Sequence, residues 1–170
     1  MHRRAVAVVL LAALLCACGY EWMAPASRAA RPRVAIEPLR NDSFEPGVEF
    51  VVTDALQREF QRRGSVEVVP NPENADFVLG GAVLPLKTHA ASLTSVSFAI
   101  EYQLTMALAL SVIRAGEEVE VDRRSLRKSE FYFASSDVEV QRKNREEALR
   151  RVASAIAGRV HDALFEGAAP

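Results

Sequence analysis

Two stretches of this chain carry residue types that could do chemistry. The first is a pair of thiols, Cys16 and Cys18, behind an unbroken apolar run from Ala5 to Leu15. The second is a cluster of cations, Arg123, Arg124, Arg127 and Lys128, followed closely by the aromatic trio Phe131-Tyr132-Phe133. Guanidinium and ammonium groups beside exposed strand backbone can engage phosphates, so the cluster suits an anionic glycolipid. Cations also guard edge strands against aggregation, and that reading stands beside the first with equal weight. If no bulge intervenes, alternation puts Arg123 and Arg127 on one face of a strand and Arg124 and Lys128 on the other. Lys87, at the mouth of a Ser/Thr-rich stretch, is a weaker candidate for the same anion.

Catalysis has no comparable footing. Beyond the leader there are two histidines, His89 and His161, and neither shares metal-ligand spacing with a carboxylate. There is no HExxH or paired-cysteine motif. Gly80-Gly81 lacks the GxGxxG spacing and the following helix of a phosphate loop, and reads instead as a bulge or kink in a strand. Asp122 and its acidic neighbours form no isolated carboxylate pair. The chain is expected to be no enzyme and to carry no cofactor or metal.

The thiols have a more definite chemistry. The run from Ala5 to Leu15, preceded by Arg3 and Arg4, suits a signal-peptide core and is about half the ~20 residues that span a bilayer. Leu15-Cys16-Ala17-Cys18 resembles the lipobox of bacterial lipoproteins, in which the thiol after the small residue is acylated and becomes the mature N-terminus. Cys18 fits that role, whereas Cys16 follows Leu15, too large for the cleavage pocket. An ordinary secretory signal with an incidental cysteine is the plainer alternative. Losing Arg3 and Arg4 makes the mature chain more acidic than the whole, whose net charge is −1, so nothing in the balance favours nucleic acid. With Cys18 acylated, the folded part has no free thiol, which excludes disulfides and cysteine metal sites. Gly19 rather than Asp after the cysteine is compatible with delivery to the outer membrane.

The organisation expected is a signal peptide at 1–17, a lipidated N-terminus and tether at 18–32, one domain at 33–166 and a tail at 167–170. Extended at about 3.3 Å per residue, the tether could reach roughly 50 Å. Arg33 to Leu39 alternates as a first strand, and Arg40 to Gly47 is turn chemistry. Val48, Val52, Ala55, Leu56, Glu59 and Phe60 fall at helical spacing before a glycine stop at Gly64. Val66 to Val69 is a short strand, Ala75 to Leu86 a further one, and Lys87 to Ser97 a polar loop or loosely paired strand end. Phe98, Ile100, Tyr102, Leu104, Met106, Leu108, Leu110 and Val112 occupy alternate positions of a long strand with one buried face. A turn at Arg114-Ala115-Gly116-Glu117 sends Val119 to Phe133 back as its hairpin partner. Ser136 and Glu139 fit a capping box opening a helix of about 28 residues, whose stripe runs Val138, Arg142, Arg145, Leu149, Val152, Ile156, Val160, Leu164. Dense charge on its first half reads first as a solvated face. The fold class predicted is α+β: a two-layer sandwich, two helices packed on one face of a mostly antiparallel sheet of four to five strands.

Cys18-Gly19-Tyr20, the strand Val34-Ala35-Ile36-Glu37-Pro38-Leu39-Arg40-Asn41, Phe44-Glu45-Pro46-Gly47-Val48-Glu49, Ala75 to Gly81, the long hairpin and Asn144-Arg145-Glu146-Glu147-Ala148-Leu149 occur in an order that resembles the lipopolysaccharide-assembly lipoprotein family LptE. The resemblance covers nearly the whole mature chain and rests on order and spacing. It implies an outer-membrane lipoprotein that plugs the LptD β-barrel, binds lipopolysaccharide and assists its insertion into the outer leaflet. Basic strand and loop residues bind the glycolipid in that family, which would give the role to Arg123, Arg124, Arg127, Lys128 or Lys87. Curli-secretion lipoproteins and activators of penicillin-binding proteins are the alternative. A strand as charged as Val119 to Lys128 does not suit a membrane-facing pore.

Overall fold

The computed structural model describes residues 31–93, 99–119 and 126–166. Cys16, Cys18, the leader, most of the tether, Phe98, Arg123, Arg124 and the tail at 167–170 lie outside the described residues. The fold belongs to the compact unit Arg31–Pro170.

Proline placement decides where the first strands stop. β1 (Arg33–Ile36) ends before Pro38, which has no N–H for the ladder, and pairing resumes as β2 (Arg40–Asn41) inside the predicted turn. Glu37 N–H and Asp42 N–H still donate to Leu79 O and Val83 O, so the chain keeps its course along the sheet. Helix α1 (Val48–Arg63) buries Val48, Val52, Ala55, Leu56 and Phe60, the expected stripe. Glu49 lies in its first turn and Arg62 and Arg63 in its last, matching the helix dipole. Gly64 closes it in a left-handed conformation, its N–H bonded to Phe60 O.

β3 (Glu67–Val69) and β4 (Phe77–Val83) follow. Of the bulge or kink expected at Gly80-Gly81, the bulge is absent, since β4 pairs with β6 without a break from Phe77↔Arg114 to Val83↔Leu108. The second glycine serves a different need: at φ 140° a Cβ on Gly81 would stand 2.1 Å from Ala109 O. Of the two readings of the stretch from Lys87, the loosely paired strand holds: Lys87–Leu93 is β5, antiparallel to β6 with its register shifting after Ala90. β6 (Ala99–Arg114) is the long strand. A turn with positive φ at both Ala115 (50°) and Gly116 (85°) gives the twist a hairpin needs. The return is split into β7 (Glu117–Val119) and β8 (Arg127–Phe133).

These interruptions explain why the sheet has eight strands where four to five were expected. The path is β3-β1-β4-β6-β5, with β2 on β4 and both β7 and β8 on β6. β4 pairs in parallel with β1 and β2, and β1 with β3, whereas every pairing of β6 is antiparallel. β6 is thus the axis of the sheet. Its alternation has the expected phase, but only Leu104, Met106, Leu108 and Val112 are fully buried, and Ile100 is 44% exposed. Those four contribute on the order of 6–12 kcal/mol before entropy is charged.

Helix α2 (Val138–His161) is 24 residues long, and its cap is Asp137, not Ser136. One Asp137 carboxylate oxygen accepts from the N–H groups of Glu139 (2.8 Å) and Val140 (3.1 Å). A π-turn, Asp162–Glu166, follows. The apolar stripe begins only at Ala148, continuing through Leu149, Val152, Ala153, Ile156, Ala157 and Val160, whereas Val138 is 84% exposed. The two helices run parallel. Arg145 pairs with Glu45, just before α1, and at the far end Arg63 meets Asp162 at 2.5 Å. Both pack on the face of the sheet that carries Val34, Ile36, Leu79, Val83, Leu104, Met106 and Leu108, in one core.

Candidate functional site

Strand register settles which candidate cations share a face. Lys87 pairs with Thr105, which pairs with Ser129 across β6, and the two hydroxyls bond at 2.7 Å. His89 pairs with Gln103 and Gln103 with Phe131; beyond them Ala107 faces Arg127 and Glu101 faces Phe133. Lys87, His89, Arg127, Phe131 and Phe133 therefore lie on the face that no helix covers. All five are exposed, with Thr105, Gln103 and Glu101 half-buried between them. Neither Lys87 nor Arg127 has an ion-pair partner among the described residues. Lys128 pairs with Met106 and so belongs to the helix-covered face, half-buried. The alternation of Arg127 and Lys128 holds. Extending it to Arg123 and Arg124 does not follow, because Val119 pairs with Val112 and Arg127 with Ala107, which leaves a break in register between β7 and β8.

The edge-guard reading of Arg127 loses ground on the same geometry. Helix α2 already covers the outer edge of β8: Asn144 Nδ2 donates to Phe133 O (2.9 Å), Arg151 to Phe131 O (2.8 Å) and Arg159 to Arg127 O (3.4 Å). The edge is closed by backbone capture from the helix, which leaves the Arg127 side chain free for another role. The charged half of α2 is likewise more than a solvated face. Arg142 holds Glu139 at 2.6 Å and Glu146 at 3.1 Å, while Arg145 is half-buried against Glu45 and reaches Thr88 on β5 at 3.3 Å.

A second cluster lies where the helices end. A cavity of about 330 Å³ is lined by Arg62, Arg63, Ser65, His161 and Phe165. His161 is buried, with Nε2 2.6 Å from Ser65 Oγ, and its ring meets Phe60 edge-on at 5.2 Å. A serine and a histidine at that distance suggest a nucleophile and its base, but Asp162, the carboxylate beside them among the described residues, is not placed to orient the ring. Asp162 lies 4.0 Å from His161 Nδ1, beyond hydrogen-bond reach, and is held by Arg63. The pair joins β3's approach to α2. Nearby, Glu59 is pulled down to about 2, first by its hydrogen bond from Arg62 and further by that from Arg63, against the opposing effect of burial. Among the described residues, no three His, Cys, Asp or Glu side chains converge where a metal could sit, and no helix is long and apolar enough to cross a membrane.

Sequence reasoning finds Lys87, Arg127 and the aromatic trio but does not join them on one surface, because a stretch readable as either a loop or a loosely paired strand end gives Lys87 no register on β6. The signal was there in Lys87-Thr88-His89-Ala90, whose alternation continues β4 along β6 past Pro85.

Residues 32–164 match the family model described as LptE, lipopolysaccharide-assembly. No curated protein sequence matches the chain. Among solved structures it is similar to the rare lipoprotein B of Shewanella oneidensis, at 16% identity over 76% of this chain and 94% of that one, with a TM-score of 0.53. It is also similar to an uncharacterized lipoprotein B of Nitrosomonas europaea, at 16% identity over 81% and 85% with a TM-score of 0.52. A hypothetical protein of Chlamydia trachomatis matches at 13% identity over 81% and 99%, with a TM-score of 0.52. At these identities the likeness is one of fold.

Proposed function

The chain belongs to the LptE lipopolysaccharide-assembly family, and from that premise we propose that it is the plug and assembly partner of an LptD-type β-barrel, assisting passage of lipopolysaccharide to the outer leaflet. The family's work is assembly rather than catalysis. In this reading residues 1–17 are removed, Cys18 carries the lipid that holds the protein to the periplasmic side of the outer membrane, residues 18–32 form the tether, and 33–166 form the working domain. Lys87 and Arg127 bind phosphates of the glycolipid. The observation that carries this assignment is their placement, without ion-pair partners among the described residues, on the exposed face of one sheet. Lys128, on the other face, and Arg123 and Arg124 are secondary candidates. The curli-secretion and synthase-activator alternative is not favoured, given the family match over 32–164.

Purification of the intact protein from detergent-solubilised outer membrane tests the partnership. A large β-barrel should co-purify, and recovery of a peptidoglycan synthase or a secretion pore in its place would refute the plug. Cys18→Ala should abolish acylation and release the protein from the outer-membrane fraction. A variant that stays acylated and membrane-bound would remove the anchor assignment.

A further inference from the structure

The helix-free face of β5, β6 and β8 changes character along the strands. At one end lie Arg127 and, one row on, Lys87 beside the bonded hydroxyls of Thr105 and Ser129. Gln103 follows, flanked by His89 and Phe131, and the last row is Glu101 beside Phe133. Cations therefore stand at one end, hydrogen-bonding groups in the middle, and two aromatic rings with a carboxylate at the other. Lys87 and Arg127 are two strands and two residues apart, about 12 Å at ordinary sheet spacing, so they can hold separate anionic groups of one ligand. Phe131 and Phe133 are 47% and 67% exposed. The core below does not need them, since Tyr102 and Tyr132 stack at 5.4 Å on the other face.

We propose that this face binds the glycolipid in one orientation, phosphates at Lys87 and Arg127 and acyl chains crossing Phe131 and Phe133 toward the end where α2 begins. The proposal rests on the glycolipid-binding reading above and adds to it a direction and two contact residues. Charge complementarity fixes the headgroup end: phosphates meet two cations there, and at the far end they would meet Glu101. Apolar surface fixes the other: acyl methylenes cover two half-exposed rings, which release water on contact. Thr105, Gln103 and Ser129 offer donors and acceptors where the sugar hydroxyls would lie. Reversing the ligand sets phosphates against a carboxylate and hydrocarbon against guanidinium.

Two probes separate the parts: intact lipopolysaccharide, and the same headgroup fully deacylated with its phosphates retained. In the full-length protein, Lys87→Glu with Arg127→Glu should weaken binding of both by on the order of tenfold or more. Phe131→Ser with Phe133→Ser should weaken intact glycolipid on the order of tenfold and leave the deacylated headgroup within about twofold. If the phenylalanine variant weakens both probes equally, or neither, the orientation is wrong while the glycolipid-binding reading stands. If the unsubstituted protein binds neither probe, both fall. A measurement free of substitution uses glycolipid with a nitroxide on an acyl chain, which should broaden amide signals of Phe131 to Phe133 before those of Lys87 and Arg127. The opposite order overturns the proposal.

Discussion

Glu59 supplies a sharp test of the electrostatics that join the two helix ends. It sits on α1 with side chain 16% exposed, accepting from Arg62 at 2.7 Å and from Arg63 at 2.8 Å. Arg63 continues to Asp162, so the carboxylate anchors a chain of charges reaching the end of α2. Its pKa falls from 4.5 to about 2 in the folded protein. A depressed carboxylate stabilises the fold above its unfolded pKa and loses that contribution as pH falls through the folded one. The full shift corresponds to about 3 kcal/mol. Arg62 is 68% exposed, so water and salt screen the leading partner, and about 1–2 kcal/mol is the expected net contribution. Glu59→Gln keeps the shape and removes the charge. Urea unfolding of both proteins should therefore show the variant less stable by about 1–2 kcal/mol at pH 7, with the gap intact down to about pH 4.5 and nearly closed at pH 2. Other paired carboxylates titrate alike in both proteins and cancel in the difference. A deficit that stays constant from pH 7 to pH 2 would mean that packing or hydrogen-bond geometry, not charge, is what Glu59 provides. No deficit at pH 7 would remove the linkage altogether.

Gly81→Ala places a methyl group 2.1 Å from a backbone oxygen at a φ that L-residues avoid, and should cost roughly 3 kcal/mol or more by thermal or urea unfolding. Gly80→Ala is its control: the added carbon meets only the end of the Glu37 side chain, at 3.1 Å, and the loss should stay below about 1 kcal/mol. Asp137→Ala should destabilise by about 1 kcal/mol, since it removes two hydrogen bonds at the start of α2, whereas Ser136→Ala should be neutral. Equal effects from the two changes would restore Ser136 as the cap.

Period and punctuation made most of the architecture legible. The stripe of α1 and its stop at Gly64, the alternation of β6 and the Ala115-Gly116 turn are local rules obeyed locally. What escaped was decided by partners distant in sequence. Lys87 to Leu93 is weakly apolar and became a strand because the first half of β6 needed a neighbour beyond Pro85. Gly80-Gly81 reads as a bulge or kink because sequence cannot show Ala109 O close by. None of the first ten residues of α2 is fully buried, and this stretch is held instead by the Asp137 cap, by Asn144 on Phe133 O and by the Arg145–Glu45 pair, polar contacts that an apolar stripe does not reveal. The candidate site was legible as residue types but not as a surface, since its face is assembled from three strands whose register no single segment fixes.

Asn144, Arg151 and Arg159 also determine how this sheet can grow. By occupying the outward carbonyls of Phe133, Phe131 and Arg127, they leave β8 with little to offer another strand. Across β6 from β8, β5 ends this half of the sheet, exposed from Lys87 to Ser92, with no backbone donor or acceptor from the other described residues set against its outer edge. In the half of the sheet built from β5, β6 and β8, lengthening is thus one-directional. An extended segment of another polypeptide, or a second molecule in a crowded preparation, would add at β5, where the deterrents are Lys87 and the slip in register after Ala90.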